Sequence, residues 1–304
     1  AYRGILPDAF LAEEYTPEKR TAALREFWKA RTNESFYLVY VDGAPGGMLA
    51  FCPTENPFVG DVKALYLLVK LRRAPIWIVF VALPGVSALI GCASYQSNLG
   101  VITPGWANLW TQQTLFVCYF FLPALLGAGC SFLWRQEHQG SNWNEFMVQP
   151  VPIRDLVLAK FCVGSLMSLL AFISIVVFYV GSGVVIGVPG AFPAARIAEY
   201  VVLGILGSLV VVAIQLDVSM VVRNFAAPVG IALAGGVSGV IATVAGFGNI
   251  WPYSLLQTGM NSNELVDLSM ASVIQIVILS AIYISGTLAW ACRRLSRRDV
   301  VATM

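Results

Sequence analysis

The sequence predicts an all-α polytopic membrane protein. It has six transmembrane helices, an amphipathic segment between the second and third, and a short α+β appendage ahead of the first. Three observations predict this. Of 304 residues, 58% are hydrophobic and only 12% are charged, about half the charged share of a soluble domain. The apolar residues gather into runs of about 20, the length that crosses a hydrocarbon core as a helix. The lysines and arginines gather on alternate sides of those runs.

Residues 1–69 differ in texture. Thr16-Pro17-Glu18 is a helix start, with Thr16 as cap, Pro17 at the first helical position and an acid in the first turn. Ala22, Ala23, Phe27 and Ala30 then give one apolar face. Phe36 to Val41, the turn pair Asp42-Gly43 and Gly47 to Phe51 predict a β-hairpin. Val62 to Val69 predicts a third strand. The chain begins at Ala1 and has no basic-start, cleavable secretory signal. It reads as a fragment or as an incompletely bounded reading frame.

The apolar runs are Ala74–Ala93, Thr114–Trp134, Phe161–Val188, Tyr200–Val222, Phe225–Gly248 and Met270–Cys292. Only the fourth contains a charge, Asp217. Lys70, Arg72 and Arg73 precede the first run. Arg135, Arg154 and Lys160 lie between the second and third, Arg223 between the fourth and fifth, and Arg293, Arg294, Arg297 and Arg298 after the sixth. On the other side the connections contain only Arg196. The positive-inside rule therefore predicts that both ends and the Arg135–Asp155 stretch are cytoplasmic. Trp106, Trp110, Trp251 and Tyr253 suit an interfacial aromatic belt on the outer side.

The polar stretch Arg135–Asp155 has a pattern of its own. Trp143, Phe146 and Met147 fall at helical spacing, with Asn144 and Glu145 between them, and Pro150 and Pro152 end the pattern. Two readings stay open from the residues: an ordinary interfacial loop, or a surface that receives force from another subunit. Asp217 likewise reads either as a carboxylate near the cytoplasmic interface, two turns from Arg223, or as the lining of a substrate path. Gly235-Gly236-Val237-Ser238-Gly239 offers small residues for close helix packing, with Gly235 and Gly239 one turn apart.

Several function classes are excluded. A net charge of +2 points to no nucleic acid. The six cysteines are scattered and form no paired motif, which predicts neither a disulfide frame nor a metal site. His138 is the sole histidine. No Gly-Lys pair occurs, so the chain carries no phosphate-binding P-loop, and no catalytic residues are predicted.

Residues 70–304 resemble the ABC-2 class of ABC transporter permeases, most closely the lantibiotic- and bacitracin-type self-protection exporters. The resemblance rests on Lys70-Leu71-Arg72-Arg73 leading into the first run. It rests further on Glu137 with Gly140-x-x-Trp143, Pro150-Val-x-x-Arg154 and Leu158-Ala-Lys160, on Trp251-Pro252-Tyr253-Ser254, and on Arg297-Arg298-Asp299-Val300. Pro152 and the spacing around Trp143 depart from the family's usual pattern. The resemblance implies a permease in the bacterial cytoplasmic membrane that pairs with a second copy or a sister permease. It docks on separate ATPase subunits, which bind ATP and Mg; this chain binds no cofactor. The implied coupling residues are Glu137, Gly140, Trp143, Glu145, Phe146, Met147, Pro150 and Arg154, and the implied cargo is an amphipathic antimicrobial peptide.

Ala1–Phe10, the Phe36–Phe51 hairpin and Lys63–Leu68 look like the first half of a GNAT-type N-acetyltransferase. That family follows the third of these with a glycine-bearing loop whose N–H groups hold the coenzyme A pyrophosphate. Here Val69-Lys70-Leu71-Arg72-Arg73 follows, and the next glycine is Gly85. The expectation is a truncated segment without acetyltransferase activity. A membrane-tethered acetyltransferase and a non-transporting scaffold or sensor subunit are the alternatives.

Overall fold

The computed structural model describes residues 35–41, 44–51, 76–138 and 153–297. The chain divides into two compact units, Ala1–Val59 and Gly60–Met304. In the first, strands β1 (Ser35–Val41) and β2 (Ala44–Phe51) form an antiparallel pair with Val41 opposite Ala44. The register shifts at Val39/Tyr40, a bulge. The helix expected from Pro17 and the strand expected at Val62–Val69 lie outside the described residues.

The second unit is helical, and six of its helices are long and apolar enough to cross a membrane. Helix α1 is Ile76–Ser97. The second span, Trp106–Arg135, is built from α2 (Trp106–Phe116), a π-helical turn (Val117–Phe121) and α3 (Leu122–His138). Then follow α4 (Ile153–Val185), α5 (Ala194–Val221) and α6 (Ala226–Val244), a short α7 (Ser254–Gly259), and α8 (Met270–Arg297).

Three starts depart most from the sequence expectation. The second span begins at Trp106 rather than Thr114, because polar Asn108, Thr111 and Gln113 are buried against neighbours instead of ending the helix. Gln113, for instance, donates to Ser182 Oγ at 2.7 Å. The third begins at Ile153 rather than Phe161, so Arg154, Asp155 and Lys160 are helical. The fourth begins at Ala194 rather than Tyr200, directly after Pro193.

Spans two, three and four form the centre, with Trp110, Trp134, Phe172 and Tyr179 almost fully buried among them. Helices α1, α6 and α8 are the least buried. Leu89, Ile241, Val244 and Ile278 stand exposed on them, as befits surfaces solvated by lipid tails rather than water. Glycines permit the close crossings. A β-carbon at Gly91 would lie 2.5 Å from the Gln113 backbone, and one at Gly207 2.5 Å from the Leu256 nitrogen.

The connection after α6 turns back into the bundle. Gly246 has φ +83°, and the N–H groups of Gly246 and Phe247 bond the carbonyls of Thr243 and Ala242. That is a glycine-closed helix end which reverses the chain. Trp251 Nε1 then reaches Ser238 Oγ at 2.9 Å, and the Tyr253 ring lies against Gly235. Gly235 is nine residues before the end of α6 at Val244, about 14 Å along the axis. Helix α7 packs on Gly204 and Gly207 of α5 and Gly239 of α6 before the chain climbs out through Asn261 and Asn263. Non-helical backbone at such depth is tolerated where protein surrounds it.

The aromatic-belt reading is therefore corrected for Trp106, Trp110 and Tyr253. All three are buried, and each has a polar partner. Trp106 Nε1 donates to Gly190 O, Trp110 Nε1 to Met260 O, and the Tyr253 hydroxyl accepts from Gln215 Nε2. Trp251 alone of the four remains exposed.

Candidate functional site: the basic end of the bundle

The basic residues converge at one end of the six helices. There α3 finishes at His138, α4 begins at Ile153, α5 finishes at Val221, and α8 finishes at Arg297 with Arg293 and Arg294 in its last turns. The ends of α3, α5 and α8 carry the negative pole of the helix macrodipole, so cations are favoured beside them.

Lys160 is the centre of this arrangement. It is fully buried. Its Nζ donates to the Leu133 carbonyl at 2.7 Å and lies 4.6 Å from the centre of the Trp134 ring. A charged donor on a carbonyl with an aromatic face above it is a well-compensated buried cation. His138 Nε2 and the Ser219 carbonyl are 3.0 Å apart, which joins α3 to α5. Ser131 Oγ donates to the Phe225 carbonyl at 3.1 Å, and the Arg135 guanidinium lies 5.8 Å from the Phe225 ring centre. These bonds tie α3 to the start of α6.

A second group surrounds Asp217, which is half-buried on α5. The charge of Arg294 on α8 acts on it. Arg154 and Asp217 both act electrostatically on Cys292. The structure thus brings Arg154, Asp217 and Arg294 into one neighbourhood across α4, α5 and α8. Arg154 is exposed in the first turn of α4.

Of the other residues singled out in the sequence, Gly140, Trp143, Glu145, Phe146, Met147 and Pro150 lie outside the described residues. Glu137 is in the last turn of α3. Gly235 and Gly239 face Tyr253 and Gln257 of the re-entrant segment. Gly236 between them faces Tyr119 and Pro123.

The sequence matches the family described as ABC-2 family transporter protein over residues 68–239, more than half of the chain. The chain belongs to the ABC-2 transporter family. Comparison with curated proteins finds no match. Members of the ABC-2 family are membrane components without an enzymatic centre of their own and generally work with separate ABC ATPase subunits. The matched stretch of this ABC-2 protein runs from ahead of α1 to Gly239 in α6. It includes Lys160, Arg154 and Asp217, while α7 and α8 lie beyond it.

Sequence reasoning missed two features. Lys160 looked like a marker of the membrane boundary, whereas it is buried; Trp134 across the polar stretch was the available signal of a partner. The re-entrant α7 was also missed. The spacing of Gly204 and Gly207 on α5 was its signal, since it offers a groove for backbone.

Proposed function

We propose that this chain is the membrane-spanning subunit of an ABC exporter, powered by ATP hydrolysed on separate subunits. The observation that carries the reading is the ABC-2 match, which covers α3, α4 and α5, three of the four helices whose ends meet at the basic end. By the distribution of Lys and Arg, that end faces the cytoplasm and both termini lie there. The 139–152 stretch, joined to α3 and α4, is the contact for the ATPase, with Glu137, Gly140, Trp143, Glu145, Phe146, Met147, Pro150 and Arg154 as its working residues. Bound nucleotide, with its Mg, closes the motor, and the movement reaches the spans through α3 and α4.

The cargo is an amphipathic antimicrobial peptide of the lantibiotic kind, expelled from membrane or cytoplasm, and Asp217 lines its path. A second copy or a sister permease completes the pore. Residues 1–69 are a truncated GNAT-like segment without acetyltransferase activity; heat on titrating acetyl-CoA into the chain would reverse that statement.

The test is to replace Trp143 and Glu145 in protein that inserts normally, then measure stimulation of the partner ATPase and resistance to peptide. Loss of both is expected. Unchanged values remove the coupling role.

A further inference from the structure

The second span is one rod by length but two by hydrogen bonding. Pro123 has no N–H, so it cannot serve the carbonyl of Tyr119, four residues earlier. The helix widens there. Val117–Phe121 is a π-helical turn, and the Leu122 N–H reaches back to the Val117 carbonyl. Such turns are rare and interrupt the regular ladder. The neighbouring helix makes room for it: a β-carbon at Gly236 on α6 would fall onto the Tyr119 carbonyl oxygen and would meet Pro123 Cγ at 3.0 Å. At Gly236, therefore, the α6 backbone lies directly against the π turn.

The described hydrogen bonds hold the two halves of the span at different levels of the bundle. Above the π turn, α2 is bonded to the far end of α4, its following loop and the re-entrant segment. Tyr179 Oη donates to the Trp106 carbonyl at 2.8 Å, Trp106 Nε1 to the Gly190 carbonyl at 3.2 Å, and Trp110 Nε1 to the Met260 carbonyl at 2.8 Å. Gln113 Nε2 donates to Ser182 Oγ. Below the turn, the described side-chain hydrogen bonds of α3 run from its middle to the basic end, through Cys130, Ser131, Leu133 and His138.

We propose that Val117–Pro123 is a hinge, about which α3, together with the basic end of α4 that Lys160 ties to it, tilts relative to α2 and the re-entrant segment. Its use in transport rests on the reading above, in which the stretch after His138 takes up the push; its existence does not.

Hydrogen exchange on the full chain in lipid nanodiscs tests it without the partner. Amides of 117–122 are expected to exchange roughly 10-fold or more faster than those in the middle of α2 and α3. Pro123→Ala, which restores a donor for the Tyr119 carbonyl, is expected to bring them down to the level of their flanks. Uniform protection from Trp106 to His138 in the unaltered chain overturns the hinge, whether or not the variant folds. Equally fast exchange in folded Pro123→Ala protein overturns it too. Fast exchange at 117–122 together with undisturbed ATPase stimulation after replacing Trp143 and Glu145 leaves the hinge standing and removes the coupling reading.

Discussion

Lys160 Nζ donates to the carbonyl oxygen of Leu133 at 2.7 Å, so one buried hydrogen bond joins the two helices that flank the 139–152 stretch. Leu133 lies near the end of α3, and Lys160 lies two turns into α4. The bond therefore closes the base of that stretch, and the Trp134 ring covers it. Any push arriving through 139–152 meets α3 and α4 as a braced pair.

Replacing Lys160 with Ala removes a charged hydrogen bond, a cation–π contact and buried volume. The expected cost is about 2–4 kcal/mol, measured as a lower unfolding midpoint in detergent. Leu158→Ala, two residues away and partly exposed, is expected to cost less than half as much. Equal losses for both would show that the brace contributes nothing specific.

The close crossing of α5 and α7 gives a paired test. A β-carbon at Gly207 would lie 2.5 Å from the Leu256 nitrogen, whereas one at Gly230 would meet nothing within 4 Å. Gly207→Ala is expected to destabilise by about 1–3 kcal/mol, because backbone must move. Gly230→Ala is expected to be neutral or to stabilise by up to about 1 kcal/mol, since Ala is the better helix former. The same thermal measurement reads both.

Tyr253→Phe keeps the ring against Gly235 but deletes the acceptor of Gln215 Nε2. Gln215 is fully buried, so the orphaned amide is expected to cost about 1–3 kcal/mol. Double replacement with Gln215→Leu should recover part of the loss. A variant as stable as the parent would place Tyr253 and Gln215 apart.

Arg196 and Asp267 form a 2.6 Å ion pair at the opposite end, with side chains 45% and 55% exposed. Pairs this open to solvent are worth less than about 1 kcal/mol. Arg196→Gln is accordingly expected to shift stability by no more than that, and by less still at high salt. A larger shift would mean that the Asp267 contact with Tyr200 depends on the arginine.

The six spans were legible because long uncharged runs and one-sided cations are local properties of the chain. Their lengths were less so. Asn108, Gln113 and Lys160 look like boundaries until their partners Thr103, Ser182 and Leu133 are known. The re-entrant segment was hidden for a related reason. Ser254–Gly259 is too short to show a period, and Trp251 and Tyr253 look interfacial unless Ser238 and Gln215 are seen to receive them. At the basic end, sequence distance suggested Arg223 as the neighbour of Asp217. Folding adds Arg294, from the last helix, which no local pattern reveals.

The side of the membrane that the basic end occupies decides whether an ATPase can reach it, and impermeant thiol labelling of intact cells measures that directly. Single cysteines at Gly140 and Val101 are compared in a background freed of reactive native thiols. Val101, exposed at the opposite end, is expected to label from outside, and the cysteine at position 140 only once the membrane is opened. The reverse pattern would put the proposed ATPase contact outside the cell and contradict the account.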